Sequence, residues 1–144
     1  MKLEAIYDEW SVDCVIDPTE LGFESLKITE LHNKYFRFLS NERLTLRNLE
    51  VQYKQLRLEK FEFYTQGPTK ETQEKGWTLP PVGRILKSEV NTYIEADRDI
   101  VNLTLKIAVQ QEKIDLLESI IKNLQNRNFN IKSAIEWEKF KMGG

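Results

Sequence analysis

The chain has a single cysteine, a single histidine and four prolines among its 144 residues. Cys14 alone excludes an internal disulfide and any cysteine-rich zinc site, which suits a reducing compartment. No apolar run approaches the roughly 20 residues that cross a bilayer. The opening MKLEAIYDEW lacks a basic segment followed by an apolar core, so nothing in it reads as an export signal. His32 follows core-facing Leu31 and has no nucleophile at a recognisable spacing, so neither a Ser/His/Asp triad nor a Cys/His pair can be assembled. GxxxxGK[ST] and GxGxxG are both missing, which leaves nucleotide phosphates without a cradle. Asp97 and Asp99 in EADRDI read as acid–base pairs on a helix surface, not as metal ligands. The expectation is a protein without enzymatic activity, cofactor or bound metal.

Forty percent apolar and 31% charged residues fit a folded chain with large solvated helical faces. The formal charge of −2 hides an asymmetry: residues 1–30 carry eight acidic side chains against Lys2 and Lys27, and the remainder is net positive. No stretch alternates with period two for long enough to be a strand, so the expected fold class is all-α. Leu3, Ile6, Tyr7 and Trp10 recur at helical spacing over residues 3–10. Asp17-Pro18 signals a helix start, and that helix is expected to run from Pro18 to Leu39. Ser40-Asn41 offers a turn before a third helix over Glu42–Thr65, an unbroken helix being the alternative. Gly67-Pro68, Gly76 and Pro80-Pro81 mark a connection of about 17 residues. Helical spacing resumes from Ile85 to Asn126, RNFNIK suggests a short break, and Ile131–Phe140 closes the chain.

On the third helix, Arg43, Arg47, Lys54 and Arg57 fall within an arc of about 80°, at 100° per residue. Leu46, Leu49, Tyr53, Leu56 and Phe63 occupy the adjoining arc; Phe61 projects along the basic ridge and Tyr64 lies close to it. Cations beside rings are what sequence-tolerant single-strand binding uses, the rings stacking on bases. Glu50 interrupts the ridge, so the residues alone leave two readings open: a nucleic-acid-binding face and an ordinary solvated one. Each ring is equally readable as core.

Further on, Ile100, Leu103, Ile107, Gln110, Ile114, Leu117, Ile121 and Leu124 step by threes and fours, the spacing of a coiled-coil seam. A second line, Val101, Leu105, Ala108, Leu116 and Ile120, lies on another face. Two apolar faces fit either a helix packed inside a monomeric bundle or one packed on its own protomer and on a neighbour. A ring of subunits would multiply a modest basic stripe into many phosphate contacts.

Lys2-Leu3-Glu4, Val15-Ile16-Asp17 with Thr19 and Leu21, the FYT run, Ala96-Asp97-Arg98-Asp99-Ile100, and Arg127, Phe129, Ile131 and Lys132 of RNFNIK resemble the UvsY family. These are the recombination mediators of T-even-type bacteriophages. The resemblance implies a helical N-terminal hairpin and long C-terminal helices that build a ring-shaped homo-oligomer, a hexamer or heptamer. It implies binding of single-stranded DNA without ATP, contact with the phage single-strand binding protein, and loading of a RecA-like recombinase of the UvsX type, all in the host bacterial cytoplasm.

The family's basic–apolar–acidic–aromatic DNA-binding run resembles Lys60-Phe61-Glu62-Phe63-Tyr64. The family's preceding lysine falls opposite Leu58, with Arg57 one residue earlier. The resulting expectation is an N-terminal helical region over 1–66, a connecting loop over 67–83 and a C-terminal oligomerisation region over 84–144. DNA would be met by Arg43, Arg47, Lys54, Arg57, Lys60, Phe61 and Tyr64; assembly would use Ile100, Leu103, Ile107, Ile114, Leu117, Ile121 and Leu124. The competing reading is a coiled-coil adaptor that does not touch nucleic acid.

Overall fold

The computed structural model describes residues 1–143 and contains five helices and no strand among them. They are α1 (Leu3–Asp13), α2 (Leu21–Gln66), α3 (Lys70–Glu74), α4 (Val90–Ala96) and α5 (Arg98–Lys141). The all-α expectation therefore holds. None of the described helices is long and apolar enough to cross a membrane.

Several expected boundaries move. The Asp17 carboxylate accepts from the amide (2.9 Å) and hydroxyl (2.7 Å) of Thr19, closing a local turn. That carboxylate is thereby committed, and α2 begins at Leu21, not at Pro18. The turn at Ser40-Asn41 is absent: α2 continues through it for 46 residues. No glycine or proline lies between Gly22 and Gly67, and Tyr35, Leu39 and Glu42 carry one buried face straight through the site. Helix α2 stops at Gly67, whose φ of +96° supplies the left-handed residue of a C-terminal cap.

The segment from Ile85 is irregular until α4, and the chain then breaks at Asp97 (φ −63°, ψ 134°) without glycine or proline. The break expected after Asn126 is missing, because α5 runs unbroken to Lys141.

The chain forms two compact units, Met1–Thr45 with Val109–Gly144, and Leu46–Ala108. In the first, Ile6, Tyr35, Leu39, Ile114, Leu117, Ile120, Ile121, Leu124 and Ile131 are buried. Helix α1 is held by Lys34, which reaches Glu9 and Asp13 (both 2.6 Å), and by Tyr35, which donates to Asp13 (2.7 Å). Burial works against the Asp13 carboxylate, but the hydrogen bonds from Lys34 and Tyr35 outweigh it and hold its pKa below the ordinary value. Buried Arg127 donates to the carbonyls of Asp13 (3.1 Å) and Cys14 (3.2 Å), satisfying acceptors left free at the end of α1. In the second unit, Phe63, Tyr64, Ile85, Val90, Ile94 and Ile100 form the core.

Candidate nucleic-acid interface

The predicted cations separate by environment. Arg43 belongs to the first unit, where its guanidinium pairs with Glu118 at 3.1 Å in a solvent-exposed bridge. Arg47 and Lys54 are exposed on the stretch of α2 in the second unit, with exposed Glu50 between them. Arg57 is half-buried and donates to the Asn91 side chain on α4 at 2.9 Å. Exposed Val51 and Leu58 run beside these cations on the same helix.

Lys60 has a different position. It is 3% exposed, and its ammonium lies 3.1 Å from Asp97, 2.8 Å from Asp99 and 3.6 Å from the centroid of the Trp77 ring. Tyr64 is also buried, and its hydroxyl donates to Asp97 at 2.7 Å. Phe61 is half-buried and packs against the core that holds Phe63 and Tyr64. Of the residues expected to meet DNA, the structure therefore leaves Arg43, Arg47 and Lys54 at the surface, Arg57 and Phe61 partly so, and encloses Lys60 and Tyr64. The wheel already carried this signal. Lys60 lies seven residues after Tyr53 and four after Leu56, on the apolar side of the helix rather than on the ridge.

Asp97 and Asp99 are not the plain surface pair expected of them. One oxygen of Asp97 accepts from the amides of Asp99 (2.9 Å) and Ile100 (3.2 Å), capping α5; the other accepts from Tyr64 and Lys60. Burial alone would raise its pKa, but the hydrogen bonds from Tyr64, Lys60 and the Ile100 amide prevail and lower it. Burial and the bond to Asp97 drive the Tyr64 hydroxyl well above its ordinary range, so it stays a neutral donor. Trp77 and Asn91 were not singled out from sequence. Asp97, three residues ahead of the first apolar position of a helical repeat, does carry the signature of a cap.

The seam expected to join subunits is largely occupied within the chain. In the second unit Ile100 is buried, and Leu103 and Ile107 are half-buried. In the first unit Ile114, Leu117, Ile121 and Leu124 are buried, and Gln110 donates to the Glu42 carbonyl at 2.8 Å and also to its carboxylate. Of the second line, Val101, Leu105 and Ala108 remain exposed, whereas Ile120 is buried.

Long helices without strands, a polar network enclosed in a small core and a cation row on an exposed helix face define an all-helical protein that presents positive charge to solvent. Residues 9–144 match the family model described as recombination, repair and ssDNA binding protein UvsY, and the chain belongs to that family. It is 24% identical over 144 residues to the recombination protein uvsY of Enterobacteria phage T4, covering 99% of each chain. Two crystal structures of the bacteriophage T4 recombination mediator protein UvsY share the fold. Lattice type II superimposes with a TM-score of 0.80 at 24% identity, covering 99% of this chain and 98% of that one. Lattice type IV gives 0.79 at 21%, covering 98% and 99%.

Proposed function

We propose that this chain is a recombination mediator. It assembles into a ring of six or seven subunits in the host bacterial cytoplasm and binds single-stranded DNA without sequence preference. It weakens the hold of the phage single-strand binding protein and promotes loading of a RecA-like, UvsX-type recombinase. The family match over residues 9–144 carries the reading. The exposed Arg47 and Lys54, with Arg57 beside them, support it, because a row of cations neutralises phosphates whatever the base sequence. Repetition around a ring converts such modest contacts into tight, salt-sensitive binding. Assembly draws on the 84–144 region. The exposed Val101, Leu105 and Ala108 are among the apolar side chains of that helix open to a neighbour, while the buried seam residues stiffen the protomer.

Titration of labelled oligo-dT at rising salt tests this directly. Log affinity should fall linearly with log salt, with a slope of about −0.7 for each phosphate neutralised on a single strand. Replacing Arg47 and Lys54 by glutamine should make that slope shallower. A wild-type protein that does not bind even at low salt leaves the adaptor reading in place.

A further inference from the structure

Lys60 occupies the position that matches the family's DNA-binding run, yet its ammonium is enclosed by two carboxylates and a tryptophan ring, with 3% of the residue exposed. Reaching a phosphate would require breaking the contacts to Asp97 and Asp99; half-exposed Asp99 could turn to water, but the Asp97 carboxylate, 8% exposed, would lose the ammonium that balances its charge, which is costly. The same contacts give Lys60 another task. By neutralising Asp97, it lets that carboxylate cap α5 with one oxygen and accept from Tyr64 with the other. Asp97 is also the residue that terminates α4, whose Val90 and Ile94 are fixed in the core. Helix α4 carries Asn91, and the Asn91 side-chain oxygen Oδ1 accepts from the Arg57 guanidinium at 2.9 Å.

We infer that Lys60 is a positioning residue for DNA binding: it fixes the α4–α5 junction, so that Asn91 holds Arg57 where it meets the phosphate backbone. This rests on the single-strand-binding reading above. It also explains how Arg57, one position out of register with the family's lysine, takes up a phosphate contact: a partner on a neighbouring helix sets its direction.

Two experiments decide the matter. Lysine acylation read by mass spectrometry should find Lys54 reactive in the free protein and shielded by oligo-dT, with Lys60 unreactive in both states. A Lys60 that reacts when free and is shielded by DNA overturns the inference. Absence of wild-type binding defeats the functional reading instead. In a double-mutant cycle, Lys60→Met should weaken oligo-dT binding about tenfold, the scale of one charge-assisted hydrogen bond. In an Arg57→Ala background it should cause no further loss and leave the salt slope unchanged. Additive losses, with the slope falling by about a further 0.7 per subunit, mean that Lys60 touches phosphate itself. Should Lys60→Met fail to fold, Asn91→Ala, at an exposed position, carries the same cycle: it should weaken binding only while Arg57 is present. Equal weakening in both backgrounds, or none in either, refutes the path through Arg57.

Discussion

Asp97 joins a helix cap to a charge pair, and that union makes its protonation a structural event. Lys60 and Tyr64 face it from α2, and Asp99 faces it from the first turn of α5. Its folded-state pKa lies below the ordinary 3.8, so its contribution to stability is complete above that pH and is lost as pH falls through the lower, folded value. Thermal melts from pH 7 to about pH 3 should show wild type losing stability on the acid limb. Asp97→Asn should start lower at pH 7 and converge with wild type as acidity rises. A constant gap between the two across the range would mean that the charge of Asp97 contributes nothing.

At this scale the sequence is legible in periodicity but not in partnership. Gln110 stands out as the one d position of the repeat that leucine does not fill, yet its reason, the buried Glu42 68 positions earlier, becomes visible when the chain folds. Lys60 is the converse case. Its place on the apolar side of the wheel is readable, whereas the two aspartates and the tryptophan that make burial tolerable lie 17 or more residues further on.

Among elements, the interior breaks were hardest to read, because serine, asparagine and aspartate act as caps only where the chain changes direction. Ser40-Asn41 has the composition of a start signal, but the apolar face through Tyr35 and Leu39 continues past it, and the helix continues with it. Asp97 has the same chemistry and does cap, because the first residues of α5 supply amides at its side chain. RNFNIK, polar enough to suggest a loop, stays helical around Arg127 and Ile131, both buried. Asn41→Ala separates the two readings of its site by denaturant unfolding. In the interior of a helix the exchange should stabilise by about 0.5 kcal/mol, alanine being the better helix former. As a cap, Asn41 would instead cost about 1 kcal/mol to remove.

For the molecule as a whole, the function proposed above gives the buried and the exposed apolar side chains of α5 separate tasks, and substitution can tell them apart. Leu117 is fully buried in its own chain, so Leu117→Asn should destabilise the protomer by about 3–5 kcal/mol, the combined cost of a lost core side chain and a buried amide. Leu105 is 59% exposed, so Leu105→Glu should leave the melting curve of the protomer nearly unchanged while reducing the subunit count seen by light scattering. Weaker oligo-dT binding should accompany that loss, since avidity depends on assembly. An intact oligomer in Leu105→Glu would move the subunit contact to another face.

The placement of the three tryptophans has an optical consequence. Trp10 and Trp137 belong to the first unit, and Trp77 is the second unit's tryptophan, with ammonium groups of Lys60 and Lys75 3.6 Å and 5.0 Å from its ring centroid. An indole so close to two cations fluoresces according to its distance from them. A protein carrying Trp10→Phe and Trp137→Phe would therefore report, in real time and without an attached dye, whether Lys60 keeps its place beside the Trp77 ring. Stopped-flow mixing with DNA should then leave that emission nearly unchanged, and a large change on arrival of the strand would mean that Lys60 leaves its network.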